Sequence, residues 1–184
     1  MIRRFAAAAA AVVTGLTVAI IAPAAPALAI QQGDWSRIVN VATGMALEGY
    51  TTHNSVRVVQ RAMRTFAGEP AAQQSWQFSV DKGYARFRNA LATDSSGWLA
   101  LTVNNGVDAL ARPIFQYTNI PGNPAQLWSV VRAPGSASDV YTVRNPASNR
   151  CLSIPNGNPN EEVQAIAYPC NGALDQMWHI KAFA

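Results

Sequence analysis

Gln176-Met177-Trp178 has two earlier copies in this chain, Gln126-Leu127-Trp128 and Gln74-Ser75-Trp76. The three tryptophans are spaced 52 and 50 residues apart. Each triplet runs on into a short apolar segment: Phe78-Ser79-Val80, Val130-Val131 and Ile180. A fixed period near fifty marks a chain assembled from copies of one supersecondary unit.

The segments ahead of each tryptophan obey the same period. Trp35-Ser36-Arg37-Ile38-Val39-Asn40, Tyr84-Ala85-Arg86-Phe87-Arg88-Asn89 and Val140-Tyr141-Thr142-Val143-Arg144-Asn145 are apolar strands that end on Asn. A second short strand follows within about ten residues: Ala46-Leu47, Trp98 to Leu101, and Cys151 to Ile154. A third covers Val56 to Gln60, Ile114 to Tyr117, and Val163 to Tyr168. The Gln-x-Trp strand closes each unit. Three units of four strands, over approximately residues 34–80, 81–131 and 139–183, predict an all-β domain of about twelve strands with pseudo-threefold symmetry relating Trp76, Trp128 and Trp178.

Turn chemistry supports this reading. Clusters such as Ala42-Thr43-Gly44, Asp94-Ser95-Ser96-Gly97, Pro121-Gly122-Asn123-Pro124, Pro134-Gly135-Ser136 and Asn156-Gly157-Asn158-Pro159 separate the apolar runs, and such clusters mark turns between short strands. Helical signal is confined to the Ala-rich window Ala62 to Gln74, which has the composition for a turn or two of helix but is interrupted by Gly68 and Pro70. Less than one tenth α-helix is expected. A large aromatic recurring once per unit reads as core that packs the units together. The neighbouring Gln74, Gln126 and Gln176 carry amides that both donate and accept, so each is suited to anchoring a buried turn.

Residues 1–29 stand outside the repeats. Arg3 and Arg4 precede an apolar run from Phe5 to Ile21, then Pro23 and Pro26, then Ala27-Leu28-Ala29. That order reads as a secretory signal peptide cleaved after Ala29. A retained membrane anchor is the alternative, but the run is short for a span and a small-x-small site follows it. Export would leave one domain of residues 30–184, with no stable membrane insertion after cleavage, and a secreted, extracellular monomer is expected. Losing Arg3 and Arg4 lowers the formal charge from +4 to +2. The remaining arginines are scattered, and Arg57, Arg61 and Arg64 read as solvated charges, so no nucleic-acid partner is expected.

Cys151 and Cys170 are the two cysteines of the chain. In an exported protein they are expected to form one disulfide, worth about 3 kcal/mol in the chain-entropy model. There is no Cys-x-x-Cys, and His53 and His179 lie apart from the cysteines, so neither a metal site nor a cofactor is expected. No Gly-x-Ser-x-Gly, His-Glu-x-x-His or phosphate-cradling loop is present, which argues against an enzyme. Glu48 and Asp175, the carboxylates one would pair for glycoside cleavage, lie in different repeats.

The three triplets, together with Asn149-Arg150-Cys151-Leu152, Tyr168-Pro169-Cys170-Asn171-Gly172 and Asp175-Gln176-Met177-Trp178, resemble the ricin B-type β-trefoil family of lectins and carbohydrate-binding modules. The resemblance covers essentially all of residues 33–184. It implies a β-trefoil, a Cys151–Cys170 bond and up to three sugar sites, one per repeat. A family pocket uses an Asp after the Cys-Leu pair, a Gln four residues before the second Cys, an aromatic two before it, and an Asn before Gln-x-Trp. In the third repeat these positions hold Ser153, Ile166, Tyr168 and Asp175; in the second about Ala100, Phe115, Tyr117 and Ala125; in the first about Glu48, Val59, Arg61 and Gln73.

Each implied pocket is therefore incomplete. The third is nearest to complete, with Tyr168 as the stacking platform, Ser153 and Asp175 as polar partners, and Asn171 adding an amide. Tyr168 equally reads as a half-exposed core tyrosine. Tyr117 and Glu48 are the secondary candidates. Two functions follow: a secreted glycan- or polysaccharide-binding module without catalytic activity, or a trefoil with degenerate sugar sites that binds a protein, for example as a hydrolase inhibitor. A site lacking the family's Asp and Gln is expected to be weak, near 1 mM, and to depend on avidity for a polymer.

Overall fold

The indole N–H groups of Trp76, Trp128 and Trp178 donate to the backbone carbonyls of Leu47, Leu101 and Leu152 at 2.9, 3.0 and 3.0 Å. One bond in three copies fixes the equivalence of the repeats. In this computed structural model residues 32–94, 97–105, 109–136 and 139–183 are described. The predicted leader, residues 1–29, and its cleavage point lie outside the described residues.

The first repeat contains β1 (Trp35–Asn40), β2 (Ala46–Gly49), β3 (Val56–Arg61), β4 (Thr65–Phe66), β5 (Glu69–Pro70) and β6 (Trp76–Asp81). The second contains β7 (Tyr84–Asp94), β8 (Gly97–Val103), β9 (Arg112–Thr118) and β10 (Ser129–Arg132). The third contains β11 (Val140–Asn145), β12 (Arg150–Ser153), β13 (Ile166–Pro169) and β14 (Met177–Ala182). The first and last strands of the repeats form a closed ring: β1 pairs β6 and β14, β6 pairs β7, β10 pairs β11, and β11 pairs β14. A bridge between Ala85 and Trp128 closes β7 on β10. The hairpins β2–β3, β8–β9 and β12–β13 cap one end, joined by β3–β9 and β9–β13 pairs. The result is a β-trefoil, its barrel closed strand to strand.

Strand alternation supplies the core. Leu47, Leu101 and Leu152 are buried with the three tryptophans, as are Ile38, Phe87 and Val143 and then Phe78, Val130 and Ile180. Each set holds one residue per repeat; the second set lies two positions before the Asn and the third two after the Trp. The Asn residues clasp neighbouring repeats. Asn40 Nδ2 donates to the carbonyl of Asp175, Asn89 Nδ2 to that of Gln73, and Asn145 Nδ2 to those of Pro124 and Leu127. Repeat one is thus tied to three, two to one, and three to two. All three asparagines are fully buried, where an amide must find its partners.

The insertion between β3 and β6 departs from the sequence expectation. Among the described residues no α-helix occurs; Thr65–Phe66 and Glu69–Pro70 form a small separate hairpin. Ala67 and Gly68 at its tip both have positive φ, which a helix does not allow. Only Ala72–Gln74 turns, as one 3₁₀ turn. Its counterparts Pro124–Gln126 and Leu174–Gln176 precede the other two tryptophans.

Candidate functional site

The β12–β13 hairpin divides its side chains between two faces. Leu152 and Ala167 point into the core, so their neighbours Cys151 and Ser153 on one strand, and Ile166 and Tyr168 on the other, share the outer face. The Cys151–Cys170 disulfide, with Cα atoms 5.1 Å apart, fastens the end of β13 beside Tyr168. Gln176 fixes the next segment: its Oε1 accepts from Asn171 N–H at 2.9 Å and its Nε2 donates to Pro169 O at 2.9 Å. Asn171 Oδ1 accepts from Ala173 N–H, and the residue is exposed.

The turn Leu174–Gln176 carries Asp175 to this face. Ser153 Oγ donates to Asp175 Oδ2 at 2.6 Å. The carbonyl of Asp175 accepts from Ile154 N–H and Asn40 Nδ2. Asn156 and Gly157, both at positive φ, bring the adjoining turn against it; a Cβ on Gly157 would meet Ala42 Cβ at 3.4 Å. Together Ser153, Ile166, Tyr168, Asn171 and Asp175 line one cleft of about 310 Å³, with Pro155, Asn156 and Ala111 completing its wall. The five third-repeat residues singled out in the sequence therefore converge. Pro155, Asn156 and Ala111 were missed. The Asn156-Gly157 turn signal was visible, but its position against the cleft was not.

The second repeat holds a related cleft of about 360 Å³, containing Thr102, Phe115, Tyr117 and Ala125. Here the sequence alignment needs correction. The counterpart of Ser153 and Glu48 is Thr102, not Ala100, because the Trp128 indole donates to Leu101 O and Thr102 follows Leu101. Ala100 is fully buried opposite Tyr117. Thr102 Oγ1 donates to Ala100 O and accepts from Gln126 Nε2. No carboxylate lines this cleft among the described residues.

The first repeat is arranged differently. Glu48 is 2 % exposed. Its carboxylate pairs with Arg61 Nε at 3.2 Å and with Arg64, and accepts from Gln74 Nε2 at 3.1 Å. Arg61 also pairs with Glu162 and, at 3.8 Å, Glu161. Arg61 and Arg64 are thus structural partners of a buried acid, which corrects their reading as merely solvated charges. A lone buried carboxylate is costly, so it gathers cations. Glu48 is not brought to a cleft with Tyr117 or Tyr168.

His179 and Lys181 contact Asp139 at 3.1 Å each. Desolvation raises the Asp139 carboxyl, but the hydrogen bonds from Lys181 and His179 outweigh it and hold the group below its ordinary value. Among the described residues no group of three or more His, Cys, Asp and Glu is placed to hold a metal ion. No helix among them is long and apolar enough to cross a membrane.

A family model described as Ricin-type beta-trefoil lectin domain-like matches residues 124–184, the end of the second repeat and the whole of the third. No curated protein matches the chain. Solved structures are similar in fold at low identity. The designed threefold symmetric protein ThreeFoil is 20% identical with a TM-score of 0.67, over 81% of this chain and 99% of that one. A ricin B-like lectin from Macrolepiota procera, solved in complex with lactose, is 19% identical with a TM-score of 0.66, over 84% and 99%. An exo-beta-1,3-galactanase from Clostridium thermocellum is 17% identical with a TM-score of 0.66, over 84% of this chain but 31% of that one. The fold is thus shared by lectins and by parts of glycan-cleaving proteins, and a shared fold does not assign the activity.

Proposed function

We propose that the protein is an exported, non-catalytic carbohydrate-binding module that holds a sugar ring in the third-repeat cleft. The observation that carries this reading is the convergence of Tyr168, Ser153, Asp175 and Asn171 on one cleft. A pyranose has one face of C–H groups and a rim of hydroxyls. The half-buried Tyr168 ring offers an apolar face, the Asp175 carboxylate accepts from hydroxyls, and the Asn171 amide donates. A concave, partly apolar surface with a few convergent polar groups is the usual form of a small-ligand site. Asp175 Oδ2 is already bonded to Ser153, so the carboxylate is held in position before a sugar arrives.

The second-repeat cleft, with Tyr117 and Thr102 but no carboxylate among the described residues, serves in this reading as a weaker auxiliary contact on a polymer. Glu48 contributes to stability rather than to sugar contact. A glycan array extended to insoluble cell-wall polysaccharides tests the proposal. Retention that free sugar competes away supports it; absence of retention on every glycan rejects it.

One observation favours the second reading, a protein partner. Phe66, at the tip of the β4–β5 hairpin, is 83% exposed, and an exposed aromatic on an insertion fits a protein contact. That footprint is indifferent to Tyr168, which separates the two readings.

A further inference from the structure

Five tryptophans occur in the chain, and three are the repeated core residues. The other two, Trp35 on β1 and Trp98 on β8, stand together on the side of the barrel with ring centroids 6.2 Å apart. The Arg88 guanidinium packs against both rings from one side, 4.2 Å from the Trp98 centroid and 5.8 Å from that of Trp35. Trp98 has no aromatic counterpart in the other repeats: the residues three before Leu47 and Leu152 are Gly44 and Asn149. Trp98 is a local addition to the trefoil, and the pair is no part of its threefold core.

A cleft of about 240 Å³ opens beside this stack, lined chiefly by Gln77, Ser79, Arg86, Arg88, Trp98 and Asn119. It is separate from the clefts of the second and third repeats. Its two cations differ in state. Arg86 is neutralised by Asp81 and donates to Asn119 Oδ1 at 3.0 Å, while its buried Nε–H has no acceptor among the described residues. Arg88 donates to the neutral amide of Gln77 and makes no ion pair among the described residues. Asp81 is further occupied by Gly122 N–H. Among the described residues, the wall of the cleft therefore carries one positive charge without an ionic partner, that of Arg88.

From this we infer that the cleft binds a sugar acid, a uronate unit of an acidic glycan, through Arg88. A guanidinium stacked on an indole keeps its donor edge in the ring plane, where it meets a carboxylate with two parallel bonds. Contact with both rings, and the bond to Gln77, hold the guanidinium in advance, so little freedom is lost on binding. Gln77, Ser79 and Asn119 supply the neutral hydrogen-bonding groups that hydroxyls require. The volume lies below the roughly 300 Å³ at which pockets for drug-sized ligands begin, which matches a single sugar ring.

The test is calorimetric titration of the purified protein with trigalacturonate and, separately, with its uncharged methyl ester. The acid should bind about tenfold or more tighter than the ester, the scale of a lost charge-assisted contact. Arg88→Gln should erase that preference and Tyr168→Ala should leave it intact. Equal affinity for acid and ester in the wild type overturns the inference without reference to any variant. So does an unchanged preference in Arg88→Gln, its loss in Tyr168→Ala, or competition by acetate at the same concentration as the sugar acid. If Arg88→Gln does not fold, Arg88→Lys takes its place: it keeps the charge without the planar fork, and undiminished affinity for trigalacturonate in that variant also overturns the inference.

Discussion

Ser153 on β12 and Asp175 in the turn before β14 share a 2.6 Å hydrogen bond across 22 residues of chain. The bond joins the capping hairpin to the Gln-x-Trp segment and sets a carboxylate in the cleft wall. Ser153 is 1% exposed, so its hydroxyl depends on this partner, whereas Asp175 is only partly buried and retains access to water. Ser153→Ala should therefore cost about 1–2 kcal/mol, at the low end for a hydrogen bond to a charge. Urea denaturation of Ser153→Ala, Asp175→Ala and the double variant checks it: the cycle should show coupling of about 0.5 kcal/mol or more between the two sites.

The three indole bonds predict threefold equivalence in energy as well as in position. Trp76, Trp128 and Trp178 are each essentially inaccessible and each donates to a Leu carbonyl. Replacement by Ala should cost about 3–5 kcal/mol at each site, a large part of the ~5–15 kcal/mol that stabilises a typical domain. Replacement by Phe keeps most of the apolar volume but leaves a buried carbonyl unpaired, a loss of about 1–3 kcal/mol. Thermal melts of the three Phe variants should fall by similar amounts. A loss at one site alone would show that the copies are not energetically equivalent.

The disulfide is expected to matter for stability and less for the existence of the fold. Cys151 and Cys170 lie 19 residues apart, and a loop of that size is worth about 3 kcal/mol in the chain-entropy model. The first two repeats form their hairpins without cysteines. Cys151→Ala/Cys170→Ala should therefore remain folded with a lower midpoint in urea. Its Tyr168 should be less rigidly held, since Cys170 closes β13 two residues further on. Loss of all native signal in near-ultraviolet circular dichroism would show that the bond is required for folding.

The trefoil was legible because Gln-x-Trp combines two demands in three residues, a buried indole and a buried amide, and no other segment repeats both. The third-repeat cleft was legible for a related reason: Cys151 and Cys170 fix its register in the sequence. The second repeat lacks that marker. Its β8 strand contains both Leu99 and Leu101, and only the Trp128 indole bond shows that Leu101 is the core counterpart, which moves the site position from Ala100 to Thr102. The hairpin at Thr65 to Pro70 was hidden because Ala-rich composition favours helix locally, while the positive φ of Ala67 and Gly68 follows from tertiary placement. The ion network at Glu48 was hidden for another reason: its partners Arg61 and Arg64 lie on segments whose side-chain directions the sequence does not reveal.

That network gives a prediction on stability alone. Glu48 is held by Arg61, Arg64 and Gln74. Removing it leaves the largely buried Arg61 with Glu161 and Glu162 as its acidic partners. Glu48→Ala should cost near the low end of the ~3–5 kcal/mol typical of a broken buried pair, because those two acids remain. Polysaccharide retention of the folded variant should be unchanged. Lost retention with native melting behaviour would instead assign Glu48 to the binding surface.

Tyr168→Ala is the decisive variant for the glycan reading. The ring is half-buried on the outer face of the β12–β13 hairpin, and the core residues Leu152 and Ala167 lie on the opposite face. Truncation should therefore leave the tryptophan core undisturbed, and a melting curve close to that of the wild type confirms that the variant is folded. The ring's contact with a sugar is worth about 0.5–1.5 kcal/mol beyond area, by analogy with other aromatic contacts, so a single site loses up to about tenfold in affinity. On an insoluble polysaccharide the loss is larger, because weakening one of two linked contacts removes the avidity that retains the protein. Pull-down should then show the folded variant in the unbound fraction, with Tyr117→Ala giving a smaller defect and Phe66→Ala none. Unchanged retention of Tyr168→Ala rejects the third-repeat site; loss of a protein partner in Phe66→Ala, with glycan retention absent from the wild type, moves function to the β4–β5 hairpin.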